Sequence, residues 1–367
     1  MNERHSKLFS PWTINTANIP NRFVLAPMTR ISATLEGSAT ERMAAYYERF
    51  AQGGFGLLIS EGVYIDQAYS QGYQGQPGLS DDAQARAWQP VLQRVHAGSA
   101  LMFAQLMHAG ALTQHNRFKD HTQAPSAVQP KGEQLGFYHG SGRYPVPQAM
   151  GADDIATVLS SFAQAAARAI DIAGFDGIEL HGANGYLLDQ FLTDYTNLRD
   201  DAWGQGLQGR LTLVLEVIAA VRAKIGPHVP LGVRLSQGKV NDLEHKWPEA
   251  ERAAEIIFSG VAGAGVDFIH ITEHKAWAPA FPGGDASLVN LARRYAPGVT
   301  LIANGALHEP DRASASLDDG ADLIAIGKGA LANPDLPAKV RAQQPLAEFD
   351  GSVLGPIADI KDRELSL

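Results

Sequence analysis

LIANGALHEPDRASASLDDGADLIAIGKG, residues 301–329, is the stretch on which the fold turns. Two short apolar runs, 301–305 and 323–329, flank a stretch of helical period at 310–319. Pro310 suits a first helical turn, where a missing N–H costs little, and Gly320 falls where a helix should stop. Strand, helix and strand in that order make a βαβ unit, whose two strands run parallel.

The unit repeats outward from there. Strands are expected at 22–29 (RFVLAPMT), 57–62 (LLISEG), 101–108 (LMFAQLMH), 177–183 (GIELHGA), 231–236 (LGVRLS), 268–272 (FIHIT), 301–305 and 323–329. Helices are expected at 40–52, 82–98, 153–173, 210–225, 248–264, 287–295 and 310–319, with a last one from 334. Pro248 and Pro334 again suit first turns, and Gly174 and Gly226 suit helix ends. Eight pairs in this order are what an α/β closed (β/α)8 TIM barrel requires. A doubly wound open sheet shares the local pattern, but no GxGxxG opens the chain. The expectation is a single domain over residues 1–367, with its core at about 20–342 and a C-terminal tail at 343–367.

The 367 residues are 45% hydrophobic, enough for one large core, and the net charge of -9 with scattered Lys and Arg gives no footprint for nucleic acid. The absence of cysteine removes disulfides, thiolate nucleophiles, Cys-ligated zinc and Cys-ligated iron–sulfur clusters together. Redox chemistry would therefore need an organic cofactor or a non-thiolate metal. The opening MNERHSKLFS has no apolar leader core, and no apolar run approaches membrane length, so a cytoplasmic protein without membrane association is expected. A homo-oligomer is compatible with this pattern.

The segments 63–81, 109–150 and 273–286 are long, rich in Gly, Pro, Tyr and His, and lack helical period. All three follow strands, so they emerge at the C-terminal face, where barrels keep their active sites; they read as a pocket cover, or as plain surface and oligomer contacts. Polar groups sit near strand ends: Thr29, Gln105, His108, Glu179, His181 and Arg234. Arg234 is flanked by Val233 and Leu235 and is costly to bury unless an anion meets it, either a ligand or Glu179 in a barrel-interior ion pair. Asn304-Gly305 and Gly327-Lys328-Gly329 end the last two strands, where barrels often hold phosphate on backbone N–H groups, though short glycine pairs also serve ordinary turns. If the chain coils after Gly182, His181 and Asn184 fall on one side as a pair of donors to one oxygen, with Tyr186 near enough to give a proton. A metal held by His108, His181 and His270 has no HxH or HxxxH spacing behind it.

Residues 21–30 (NRFVLAPMTR), Ser60-Glu61-Gly62, 105–110 (QLMHAG), 173–192 (AGFDGIELHGANGYLLDQFL), 232–235 (GVRL) and 301–305 together resemble the Old Yellow Enzyme family of NAD(P)H:flavin oxidoreductases, in the family's order. The resemblance runs to about Arg341. It implies FMN at the barrel mouth, with Pro27, Met28 and Thr29 at the ring, Gly62 beside it, Gln105 and Arg234 on its polar edge, and its phosphate at Asn304, Gly305, Gly327 and Lys328. It further implies NADPH or NADH as reductant, His181 and Asn184 on a substrate carbonyl, and Tyr186 as proton donor in reduction of the C=C bond of an α,β-unsaturated carbonyl compound. Hydride would pass from nicotinamide to flavin N5 and then to the alkene β-carbon.

Departures from the family pattern are Thr29, where some relatives have Cys; Lys328 in place of Arg; 200–210 (DDAWGQGLQGR); and a tail from Phe349 without the aromatic-rich ending. Two other readings stay open on sequence alone. One is a cofactor-free aldolase or isomerase barrel for phosphate sugars using Lys239, Lys275 or Lys328 as Schiff base; the other is a non-catalytic flavin-binding protein.

Overall fold

Eight parallel strands close on themselves in the computed structural model, which describes residues 3–365. They are Phe23–Leu25, Leu57–Ile59, Leu101–Met107, Gly177–Asn184, Leu231–Lys239, Phe268–Thr272, Thr300–Asn304 and Leu323–Ile326. Each pairs with the next, and Ile324–Ile326 pairs with Phe23–Leu25 to seal the (β/α)8 barrel. Parallel strands buried on both faces need apolar side chains toward the helices as well as inward, which is why their runs read as nearly continuous.

The inward positions alternate with period two and fall into layers. The lower layer is apolar: Val24, Leu57, Phe103, Phe268, Ile302 and Leu323 pack in one cluster. The Phe103 and Phe268 rings lie 5.6 Å apart. Gly177 and Gly232 give them room, since a Cβ on either would approach Phe103 or Phe268 to 2.7 Å or 2.4 Å. An antiparallel hairpin, Trp12–Ile14 with Ala17–Ile19, adds Ile14, Ala17 and Ile19 to this cluster and plugs the barrel from below. The hairpin had no counterpart in the strand assignment from sequence.

Several boundaries move. The first strand is short because Pro27 has no N–H for the ladder and the N–H groups of Arg30 and Ile31 turn to Glu61. The third helix ends at Arg168 and widens into a π-turn, Ala169–Ala173, stopped by left-handed Gly174. Pro248 is not in a first turn; the chain turns at Ala250 (φ 51°) and the helix is Glu251–Gly263. Nor does Pro334 start a helix. Asn333 accepts from Ala347 N–H and Lys339 and donates to the Gly329 and Ala347 carbonyls, which parts a short Lys328–Ala332 turn from Leu336–Ala342, with Pro337 in the latter's first turn.

The segment beyond residue 342 folds back onto the barrel crown. Arg30, fully buried, donates to both Glu364 oxygens at 2.6 Å and to the Ala358 and Asp359 carbonyls. No helix among the described residues is long and apolar enough to cross a membrane.

Candidate active site

One step above the phenylalanines, the inward positions turn polar: Gln105, Glu179, Arg234, His270 and Asn304. Glu179 does not pair with Arg234. Its oxygens accept from Gln105 Nε2 at 2.8 Å and meet His270 Nδ1 at 2.7 Å. Arg234, 6% exposed, donates one bond, from Nη2 to Asn304 Oδ1 at 3.0 Å; its Nε is buried with no partner, and it makes no ion pair among the described residues. Burial lowers its pKa from the ordinary guanidinium value. A buried cationic N–H without a partner is a costly feature that a ligand would relieve.

Next to Arg234 in register lies His181. The ring is 4% exposed and its Nδ1 has no partner. Burial, with the Arg234 charge and His270 beside it, holds its pKa well below the ordinary value, so the imidazole is neutral and carries one N–H to donate. Tyr186 packs against it with ring centroids 4.9 Å apart.

The turn that carries these groups differs from the sequence expectation. The strand runs on to Asn184 rather than coiling after Gly182, and the reversal comes from Asn184 (φ 64°) and Gly185 (φ 87°). A register shift between Leu235 and Lys239 on the neighbouring strand accompanies it. Asn184 N–H donates to Ser236 Oγ, while its side-chain amide makes no hydrogen bond among the described residues. Below the turn, Asp189 accepts the Gly185 N–H at 2.6 Å and takes Lys239 Nζ on both oxygens at 2.7 and 2.9 Å, the pair being wholly buried. Gln190 adds a bond to the Gly185 carbonyl. Such a pair holds geometry more than it stabilises, because desolvation offsets most of its attraction.

A cluster of tyrosines covers the mouth. Tyr73, from the loop after the second strand, bonds Tyr186 hydroxyl to hydroxyl at 2.6 Å. Its ring lies 4.6 Å from that of Tyr138, whose hydroxyl donates to the Thr29 carbonyl at 3.1 Å. Burial raises the Tyr186 pKa, opposed by the Tyr73 bond and the Arg234 charge. Ile357, from the C-terminal segment, packs on the same cluster. Two of the three long loops, 63–81 and 109–150, thus supply the cover, but the identity of Tyr73 and Tyr138 had no sequence signal beyond the tyrosine content of those loops.

The remaining expected residues fall around the same rim. A Cβ on Gly62 would meet Met107 Sδ at 2.5 Å and Gln105 Oε1 at 3.3 Å, so Gly62 borders Gln105. Gly327 lies against Met28 and Ala26, and a Cβ there would make only ordinary contact, 3.5 Å from Met28 Sδ; the protein's own packing does not demand that glycine. Gly305 is different, since its φ is +143° and a Cβ would strike the Glu273 carbonyl at 2.2 Å. Lys328 is exposed, with Nζ 5.8 Å over the Phe349 ring. Pro27 and Thr29 begin the turn that leaves the first strand, half-buried at the rim. The three histidines do not meet as a metal group. His270 is bound to Glu179, His108 Nδ1 accepts from Gly110 N–H, and no cluster of three His, Cys, Asp or Glu among the described residues could hold an ion.

Of the lysines, Lys239 is committed on both sides of Asp189, and Lys275 and Lys328 are exposed, so none offers the desolvated free amine a Schiff base needs.

A sequence model of the NADH:flavin oxidoreductase / NADH oxidase family matches residues 7–347. The chain is 34% identical over 351 residues to a probable flavin mononucleotide-dependent alkene reductase of Leishmania infantum, covering 94% of this chain and 92% of that one. Among solved structures it is similar to the old yellow enzyme homologue of Zymomonas mobilis, with TM-score 0.87, 32% identity and 98% of both chains covered. It is also similar to morphinone reductase in complex with tetrahydroNAD, with TM-score 0.82, 32% identity, and 95% and 93% of the two chains covered.

Proposed function

We propose a division of labour among the crown residues of this chain, which belongs to the NADH:flavin oxidoreductase / NADH oxidase family and is an FMN-dependent, NAD(P)H-oxidising reductase of activated alkenes. The observation that carries the reading is Arg234: a buried guanidinium with an orphaned N–H and no carboxylate, beside a neutral histidine and a tyrosine.

The residues present fit FMN. Arg234 and Gln105 offer N–H groups to the electron-rich edge of a flat ring, Gly62 sits beside Gln105 at that edge, and Pro27, Met28 and Thr29 line its side. Gly305, Gly327 and Lys328 would hold the phosphate, and the steric slack at Gly327 suits close approach by a ligand; the Asn304 side chain, expected there from the sequence, is instead taken up by Arg234, Thr272 and the Ala325 carbonyl. When bound, FMN supplies hydride transfer from nicotinamide to the β-carbon of an alkene conjugated to a carbonyl.

Around that chemistry the chain's own groups bind, polarise and protonate. His181, neutral because it is buried near Arg234, donates to the substrate carbonyl oxygen together with the free amide of Asn184. Their donors strengthen as negative charge builds on that oxygen, so they favour the transition state over the ground state. Tyr186 holds the proton for the α-carbon. Burial keeps it on the hydroxyl, and the Tyr73 hydroxyl 2.6 Å away can donate to the phenolate as the proton leaves. Tyr73, Tyr138 and Ile357 exclude water from the mouth. The reading includes a cytoplasmic location, in keeping with a nicotinamide reductant.

Replacing Tyr186 with Phe tests the assignment. Alkene reduction followed by stopped flow should slow by about 10²–10⁴-fold while reduction of the flavin by NAD(P)H keeps its rate. Equal losses in both half-reactions would count against Tyr186 as proton donor.

A further inference from the structure

Glu61 is fully buried between the second strand and the turn that carries Pro27, Met28 and Thr29. One of its oxygens, Oε2, accepts two successive backbone N–H groups, Arg30 at 3.0 Å and Ile31 at 3.1 Å. Its own N–H donates to Tyr47 Oη at 2.9 Å, and Oε1 has no partner. Ile31 has φ 38°, in the left-handed region that a β-branched side chain rarely adopts. The strain needs an over-determined surrounding, and the paired N–H groups on one carboxyl oxygen supply it. Thr29 is consequently gripped from both sides, its carbonyl by Tyr138 and the peptides after it by Glu61.

Resting on the FMN reading above, we propose that Glu61 is a positioning residue for the cofactor, fixing the 27–31 turn and through it the contact that Thr29 makes with the ring. Two hydrogen bonds to one oxygen could be met by an amide as well as by a carboxylate, so charge is what separates Glu61 from Gln at this position. The ionisable groups that face it are Arg30 on the turn itself, Tyr47 on the helix Glu41–Gln52 and Tyr138 from the long loop, while Tyr46, Arg49 and Glu364 gather around Arg30. Arg30 and Arg49 both turn their guanidinium groups to Glu364, so Glu61 has only backbone donors. Burial accordingly pushes the Glu61 carboxyl up to about 7, and Oε1 is where its proton would sit. Above that pH an anion stands behind the cofactor turn; below it the turn is neutral. A reduced flavin carries more negative charge than an oxidised one, so the anion should make reduction harder.

The test compares wild type with Glu61→Gln and Glu61→Ala. FMN is titrated into apoprotein by fluorescence, the flavin midpoint potential is followed from pH 5.5 to 8.5, and circular dichroism checks the fold. Glu61→Gln should bind FMN as wild type does, whereas Glu61→Ala, leaving two buried N–H groups unpaired, should bind about tenfold more weakly. Wild type should show an extra bend in potential against pH near 7 that Glu61→Gln lacks. If Glu61→Ala does not fold, the bend alone decides. Unchanged affinity in Glu61→Ala, or the same bend in Glu61→Gln, overturns the proposal while leaving the FMN reading intact. Wild-type protein that takes up no FMN overturns both.

Discussion

Two layers of the same barrel, separated by two residues along each strand, follow opposite rules. The lower one, built on Phe103, Phe268 and Ile302, is apolar and filled, and glycine appears in it where a ring needs room. The upper one, built on Gln105, Glu179, Arg234, His270 and Asn304, is polar and incompletely satisfied, with buried atoms on Arg234, His270 and the neighbouring His181 left without partners. The lower layer contributes stability through burial; the upper one forgoes some of it to keep donors in readiness. Strand periodicity joins the two, so the site inherits the rigidity of the core beneath it.

Breaking the lower layer should hurt the fold and spare the chemistry. Phe268→Ala is expected to cost about 3–5 kcal/mol of stability in denaturant melts, while activity per bound flavin changes little. A large activity loss with little destabilisation would erase the distinction between the layers.

The upper half should instead show itself through pH. The Glu61 pKa is raised from 4.5 to about 7 by burial. Between those values the folded chain holds a proton that the unfolded chain has released, so this contribution is complete below about pH 4.5 and is lost as pH climbs to 7. The loss amounts to about 3 kcal/mol. Urea melts at pH 5 and pH 8 should therefore show a larger drop for wild type than for Glu61→Gln; equal drops would contradict the assignment.

The smallest effect belongs to the rim. Lys328→Arg restores a bidentate fork and should tighten FMN by a few-fold, about 1 kcal/mol or less, with the melting temperature of apoprotein unchanged. Weaker binding would argue that Lys328 faces something other than phosphate.

Sequence reading reached the layers but not their surroundings. Eight strands and most helices were legible because a parallel barrel imposes repeated apolar runs, and Arg234 stood out as a charge inside one of them. The first strand read too long, since the N–H groups that leave it at Arg30 and Ile31 go to a side chain thirty residues away. Arg30 with Glu364, and Asp189 with Lys239, join positions 334 and 50 residues apart, and no local period announces such pairs. Tyr73 and Tyr138 sat in loops recognised as a cover, yet only the folded chain says which tyrosine meets Tyr186. The suspected Glu179–Arg234 bridge was a fair alternative by chemistry, and the competing hold of Gln105 and His270 on Glu179 is what excludes it.

Arg234→Met puts the contrast between the layers to its most direct test, with FMN titration and thermal melting of apoprotein run side by side on variant and wild type. An orphaned charge kept for a ligand predicts a variant that melts no lower than wild-type apoprotein and has lost most of its FMN affinity. A variant that melts well below wild type yet binds FMN undiminished would mean that the guanidinium serves the fold and not the flavin.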